Sequence, residues 1–225
     1  MEVTIWRQQY EKGMAVIVAL LGVAIASSIA AYLLWQQNLM LRAVANQREQ
    51  AQLFQVEYAA LDFVMTVLRE DRRYTMVDHY GELWALPLPE TDFEDWKLSG
   101  RVYDAQARFN VNSMVRRGVA NLTRVEQYRK LLTLLDLPPE LADTLVDWID
   151  ADNSHYSASG AEDDDYLSMD PPYRAANDLM ADLTNLVRVK GYTPEVLEKL
   201  LPYICALPED VPVNVNTASP EVLAA

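Results

Sequence analysis

The sequence predicts an α+β protein in which a very long N-terminal helix packs on a small antiparallel sheet, with a large all-α domain inserted into that sheet. Three observations support this prediction. Residues 14–35 form an uncharged apolar run, residues 36–73 contain no Gly or Pro, and two short alternating segments then precede a series of helical ones. The net charge of −14 on 225 residues argues against duplex nucleic acid as the main partner.

The first predicted element is a single helix over residues 14–72. Its apolar part, residues 14–35, spans roughly 33 Å at about 1.5 Å per residue, enough to cross a membrane core of about 30 Å. Apolar residues then recur at helical spacing from Leu53 to Leu68, so the second half is predicted to be amphipathic. Positive charges flank the run on both sides, so they do not decide its orientation. Only the short N-terminal tail and the long domain that follows favour a cytoplasmic N-terminus with the C-terminal domain outside.

Residues 73–112 are predicted to form the first part of the sheet, because short segments near 98–103 and 107–112 alternate in character. The inserted helical domain is predicted over residues 113–212. Its four helical patterns, separated by Pro, Gly or polar loops, lie at residues 124–135, 138–149, 175–189 and 193–207.

The five residues Phe109–Ser113, FNVNS, are echoed after the helices by Val213–Thr217, VNVNT. An internal repeat is one explanation, and two neighbouring strands that flank an insertion are the better one. Residues 213–225 are therefore predicted to return to the sheet domain. Because the last residues resemble the first turns of a helix without a C-cap, we expect the natural chain to continue.

A loop rich in acids lies in the middle of the inserted domain, within a stretch from Leu131 to Tyr173 that has no Lys or Arg. A solvated helix face accounts for the acids from Asp136 to Asp147. The remaining acids need solvent, protonation or a cation to relieve their repulsion, and Ca²⁺ prefers oxygen ligands from such loops. The spacing alone leaves a Ca²⁺ site and a flexible acidic loop equally open. The candidate ligands are Asp150, Asp152, Glu162 and Asp163, with Asp170 before the stiff Pro171–Pro172 exit.

Lys12-Gly13 before the apolar run resembles the processing site of type IV pilins and type II secretion pseudopilins. The resemblance implies that residues 1–13 are a leader and that a prepilin peptidase cuts between Gly13 and Met14 and methylates the new N-terminus. Most pilins carry Glu at the fifth mature position, where this chain has Val18. In the family that Glu pairs with the amine of a neighbouring subunit, so Val18 marks a subunit tolerated at the top of a filament.

The stretch DWIDADNSHYSASGAEDDDYLSMDPPYRAAN is similar to the corresponding part of the minor pseudopilin K (GspK) family of type II secretion systems, as are DHYGELW, SGRVYDAQARFNVN and VNVNTA. The resemblance implies a pseudopilin fold, an inserted domain that binds Ca²⁺, and Asn177 as a further ligand or loop-holding residue. It also implies a tip subunit that helps initiate pseudopilus assembly. The implied partners are other minor pseudopilins, the prepilin peptidase and the inner-membrane secretion platform, with a single-pass location in the bacterial inner membrane, a periplasmic C-terminal domain and extraction into the pseudopilus.

Two other classes of function fit the sequence less well. An enzyme is not expected, because neither His79 nor His155 belongs to a recognisable catalytic arrangement and no Gly-rich phosphate loop accompanies the acids. A nucleic-acid module remains the alternative, since VKGYTPEVLEKL and VNVNTASPEVLAA resemble helix-hairpin-helix segments. The few cations around these segments argue against it.

Overall fold

A computed structural model describes residues 2–93, 96–208 and 210–225, and it gives the backbone alone for residues 2–13, 93 and 96. The chain divides into two compact units, residues 1–66 and residues 67–225. The first unit is helical, and the second contains the described strands together with the remaining helices. The mixed helix and strand content with a long N-terminal helix confirms the predicted fold class.

Helix α1 runs from Glu2 to Tyr74. It begins well before Met14, so the segment predicted to be a leader is itself helical. The stretch Met14–Tyr74 is long and apolar enough to cross a membrane, and its side chains from Met14 to Trp35 are exposed. In the second half, Val56, Ala60 and Val64 are half-buried at a spacing of four, as the amphipathic pattern predicts.

The segment that follows α1 is held by the carboxylate of Glu82. This carboxylate accepts hydrogen bonds from the Thr75 hydroxyl (2.7 Å), the His79 amide (3.0 Å) and the Trp84 indole N–H (2.8 Å). These three bonds favour the ionised form and lower the pKa of Glu82 to about 2. Trp84 lies in a short 3₁₀ turn, Leu83–Ala85, and is buried.

In the described residues, three small two-stranded sheets replace the single sheet that the sequence predicted. Strands β1 (Leu88–Phe93) and β2 (Trp96–Gly100) form an antiparallel hairpin. The other two sheets consist of residue pairs: β3 (Phe109–Asn110) pairs in parallel with β6 (Ile204–Cys205), and β4 (Val115–Arg116) pairs antiparallel with β5 (Val119–Ala120).

The predicted return strand at residues 213–217 is wrong, because β3 pairs with Ile204–Cys205 instead. Asn214 explains the difference, since its carbonyl accepts from the amides of Thr217 and Ala218 and its side chain accepts from the amide of Asn216. These local bonds close a turn and compete with a strand ladder. The Asn214 side chain also donates to Asp104 Oδ2 (2.9 Å), which anchors the turn.

Besides the end of α1, the described part of the second unit contains five α-helices: α2 (Leu122–Leu134), α3 (Leu141–Ile149), α4 (Asp163–Leu167), α5 (Pro194–Leu200) and α6 (Pro220–Ala224). Two of the four predicted helices, at 124–135 and 138–149, match α2 and α3. The predicted helix at 175–189 is wrong, because the only helical part of this described segment is a 3₁₀ helix at Leu183–Arg188. The predicted helix at 193–207 is too long, because α5 ends at Leu200 and the chain continues as a 3₁₀ turn and β6.

One hydrophobic core runs from Phe109 to Val222 and is centred on α2 and α3. The sequence places the limits of the inserted domain between residues 112 and 113 and between residues 212 and 213. The core contains residues on both sides of each limit, so the predicted domain is not a separate core. The Tyr128 and Tyr192 hydroxyls share a hydrogen bond of 3.0 Å inside this core, and Tyr192 also donates to the Leu141 carbonyl. Cys205 is buried beside the core, and burial raises the pKa of its thiol to about 11, so it is unreactive at neutral pH.

Candidate metal centre

Two acids of α3 hold the loop that follows this helix. Asp147 is fully buried and accepts hydrogen bonds from the amides of Tyr156 and Ala161, each 2.7 Å long. One turn earlier, Asp143 accepts from the Ser157 hydroxyl (2.6 Å) and pairs with Arg129. A spacing of four places both carboxylates on one face of the helix.

The sequence-based interpretation of these two acids was wrong. The sequence pattern predicts a solvated face for Asp143 and Asp147, but both are buried and both accept hydrogen bonds from the loop. The sequence does contain a signal for burial at Asp147, because Val146 and Trp148 flank it inside an apolar helix. An acid in such a position needs hydrogen-bond partners.

The loop approaches α3 closely at Gly160. A Cβ atom at this position would lie 2.0 Å from Asp147 Oδ2, so only glycine permits the contact. This approach brings Ala161 and Glu162 back to the end of α3, where Asp150 begins the loop.

Asp150, Asp152 and Glu162 meet at the end of α3. One carboxylate oxygen of each lies within 4.8 Å of those of the other two, although ten residues separate Asp152 from Glu162 in sequence. Asp150 is 5% exposed and Glu162 is 1% exposed. The structure therefore brings together three of the acids that the sequence singled out.

The protein leaves one carboxylate oxygen of Asp150 and both of Glu162 without a hydrogen-bond partner. Across the described part of the chain, the buried side-chain nitrogen and oxygen atoms that lack a hydrogen-bond partner are Asp150 Oδ1, both carboxylate oxygens of Glu162, and Asn177 Oδ1. Native proteins leave few such atoms, because each costs about 1–3 kcal/mol, and more when the group is charged. Their concentration at one place indicates a site for a ligand that supplies positive charge.

Burial and mutual repulsion also disfavour ionisation in this cluster. Desolvation, followed by the charges of Asp152 and Asp147, raises the pKa of Asp150 to about 6. Desolvation and the charges of Asp147 and Asp150 raise the pKa of Glu162 to about 7. A cation would reverse both effects, since it favours the ionised form of each carboxylate.

Asn177 contacts the chain on both sides of Asp150. Its side-chain NH₂ donates to the Asp152 carbonyl (3.1 Å) and to Asn153 Oδ1 (2.6 Å), and its backbone amide donates to the Trp148 carbonyl (3.0 Å). The residue adopts a left-handed backbone with φ of 46°, which Asn tolerates better than most residues. These bonds fix the orientation of the amide and leave Oδ1 buried and unpartnered.

The two remaining predicted ligands lie elsewhere. The Asp163 carboxylate accepts from the Arg174 guanidinium (3.0 Å) and the Ala175 amide (3.1 Å), so it joins α4 to the chain that follows it. Asp170 is exposed and does not belong to the three-acid group. The prediction that these two acids join the cluster is therefore wrong: Asp163 follows Glu162 directly but its side chain pairs with Arg174, and Asp170 lies beyond the end of α4 at Leu167.

Two other acidic groups of the described chain are already satisfied. Asp165 accepts from His155 (2.9 Å) and Lys190 (2.7 Å), and these partners lower its pKa to about 2. In the group of Asp71, Asp78 and Glu82, the carboxylate of Glu82 has the three donors described above. Neither group resembles the cluster at the end of α3, which has oxygens without partners.

Comparison with known proteins identifies related chains. The family described as type II secretion system (T2SS), protein K, matches residues 107–209. A type II secretion system protein K from Pseudomonas aeruginosa is 39% identical over 96% of this chain and 68% of its own length. The corresponding protein from Aeromonas hydrophila is 34% identical over 94% of this chain and 69% of its own length.

A solved structure agrees with the sequence relatives. A chain in the crystal structure of the GspK-GspI-GspJ complex from the enterotoxigenic Escherichia coli type 2 secretion system superposes with a TM-score of 0.74 and 27% identity. The match covers 80% of this chain and 68% of that one. These comparisons give no support to the nucleic-acid alternative. The chain belongs to the type II secretion system protein K family, the K-type minor pseudopilins.

Proposed function

We propose that this protein sits at the tip of the pseudopilus, in a complex with two other minor pseudopilins, and helps initiate assembly of the filament. The observation that carries the proposal is the similarity to a chain from a complex of GspK with GspI and GspJ, over 80% of this sequence. Val18 also supports the proposal. In pilins, the Glu at this position pairs with the N-terminal amine of a neighbouring subunit. A subunit with Val cannot form this pair, and it is therefore best tolerated where no subunit lies above it.

The tip position is tested by electron microscopy of pseudopili labelled with gold-conjugated antibody against residues 67–225. Gold label at one end of each filament is the expected result. Antibody against the major pseudopilin is the control, and it is expected to label the whole length of each filament. Label distributed along the filaments, or filaments built from this chain alone, would refute the proposal.

The proposed route to the tip begins with cleavage between Gly13 and Met14 by the prepilin peptidase, followed by methylation of Met14. The mature N-terminus would remain in the inner membrane, with residues 67–225 in the periplasm. Mass spectrometry of the protein from membranes is expected to find methylated Met14 as the first residue. Gly13→Val is expected to block cleavage, and a Gly13→Val protein that still begins at Met14 would contradict this route.

Calcium is the proposed ligand of the cluster at the end of α3. Asp150, Asp152 and Glu162 would supply carboxylate oxygens and Asn177 an amide oxygen, which are the hard ligands that Ca²⁺ prefers. The cation would neutralise the repulsion between the carboxylates and join the two ends of the acidic loop. The ion would therefore stabilise the second unit.

Thermal unfolding with and without calcium tests this proposal. A ligand that binds only the folded state raises the melting temperature as its concentration rises, so a chelator is expected to lower the unfolding midpoint of the wild type. Glu162→Gln removes a ligand charge but keeps the side-chain volume. Above pH 7, where the wild-type carboxylate is mostly ionised, this variant is expected to melt higher than the wild type without metal, because an unpaired buried charge is gone. It is also expected to lose the calcium response.

A matched control is Asp163→Asn, which changes the neighbouring acid that faces Arg174 and not the cluster. It is expected to keep the calcium response of the wild type. A wild type whose unfolding midpoint is the same in calcium and in chelator would refute the metal proposal and leave the tip proposal standing.

A further inference from the structure

The turn between β4 and β5 lies against the first half of the proposed calcium site. The Ala151 amide donates a hydrogen bond of 3.3 Å to the Gly118 carbonyl. Ala151 is the residue between Asp150 and Asp152. The turn therefore contacts the backbone of the segment that carries two of the three clustered carboxylates.

The contact leaves no room for a side chain at position 118. A Cβ atom on Gly118 would lie 2.7 Å from the Ala151 Cβ atom, closer than carbon atoms pack without displacement. The backbone imposes a second restriction. Arg116 pairs with Val119 across a two-residue turn, and Arg117 and Gly118 have φ of 55° and 77°, the combination that a type I′ hairpin requires.

The same segment is held from another side by Asn177, whose side chain donates to the Asp152 carbonyl. With both contacts in place, the Asp150–Asp152 backbone is fixed even though the charge of Asp152 repels that of Asp150. A site fixed before the ion arrives binds it more tightly, because less ordering is lost on binding.

We infer that Gly118 is a positioning residue for the calcium site: its lack of a side chain lets the β4–β5 turn hold Asp150 and Asp152 where they can bind the ion. The inference rests on the calcium proposal above. Gly118 itself contributes no ligand atom. Its effect on the ion passes through the backbone of Ala151.

The test is a calcium titration of the purified full chain in detergent, by calorimetry. Gly118→Ala is expected to raise the calcium Kd about tenfold, because the new Cβ atom displaces Ala151. Gly118→Ala combined with Ala151→Gly is expected to recover most of the affinity, since the atom that clashes is removed. Recovery would assign the loss of affinity to the clash with Ala151, and the Gly191 variant then separates positioning of the ligands from general destabilisation.

Gly191→Ala is the matched control. Gly191 also has a positive φ, 93°, and its Cβ atom would lie 2.6 Å from Leu141 Cδ2, in the core and not at the cluster. This variant is expected to lower the melting temperature and to keep the calcium Kd within about twofold of the wild type. If Gly118→Ala does not fold, Gly118→Asn replaces it, because Asn tolerates positive φ while adding the same Cβ atom.

Three results would overturn the inference. A wild-type Kd in the Gly118 variants would show that the turn does not position the ligands, while calcium binding itself stands. An equal loss of affinity in Gly191→Ala would assign the effect to general destabilisation. A wild type that binds no calcium would overturn this inference and the calcium proposal together. The titration of the wild type alone shows this result, so it is distinguished from a failure of the inference only.

Discussion

Glu162 and Asp147 are both almost fully buried, yet their surroundings differ in kind. Two backbone amides donate to Asp147, whereas neither oxygen of Glu162 has a hydrogen-bond partner. A buried carboxylate with donors holds the protein together, and one without donors is stabilised only by protonation or by an external cation. The two residues therefore have different roles, although both are acids near the same loop.

The structural role of Asp147 gives a prediction. Asp147→Ala leaves the amides of Tyr156 and Ala161 without acceptors, and the expected loss of stability is on the order of 2–3 kcal/mol. Glu140→Ala, at an exposed acid just before α3, is the control and is expected to change stability by less than about 0.5 kcal/mol. Urea unfolding in the presence of chelator measures both. Equal midpoints for the two variants would contradict the role given to Asp147.

At the scale of single residues, the sequence was informative about charge and uninformative about partners. The density of acids after α3 led to Asp150, Asp152 and Glu162, which do meet in space. Asp163 and Asp170 share the same composition, but their positions depend on the turn of α4 and on a contact with Arg174. Such contacts are set by tertiary packing, which composition and spacing do not encode.

At the scale of elements, the segment after α1 depends on the ionised carboxylate of Glu82. Its folded-state pKa, about 2, lies below its ordinary value of 4.5. The charge therefore contributes stability above pH 4.5, and that contribution is lost as the pH falls from 4.5 towards 2. Glu82→Gln has no such dependence, so the stability difference between the wild type and this variant is expected to shrink over that range. Urea unfolding from pH 6 to pH 2.5 measures it, and a constant difference would contradict the account.

Elements with strong local signals were predicted best. The apolar spacing of α2 and α3 placed both helices within a few residues of their positions. The strand predicted from the echo of Phe109–Ser113 in Val213–Thr217 is absent, because Val favours a strand while Asn favours a turn, and a short segment that contains both is compatible with either. Pairing with a segment distant in sequence decides between strand and turn here, because Ile204–Cys205 already pairs with β3.

At the scale of the whole molecule, a helix able to cross a membrane is joined in one chain to a second unit with its own core and a candidate metal centre. This combination fits a secretion-system component that has a single-pass membrane anchor and a separate folded domain. The long helix was predictable, because its apolar length and lack of helix breakers are local properties. The partners were suggested by family resemblance alone.

The most direct test of this account is co-purification. The full chain, expressed with the counterparts of GspI and GspJ from its own secretion system and extracted in detergent, is expected to elute with both in one size-exclusion peak that persists in calcium. The major pseudopilin, expressed in place of the two counterparts, is the control and is expected to elute separately. Elution of this chain alone, with both counterparts folded and present, would contradict the claim that it acts as the K-type subunit of a minor pseudopilin complex.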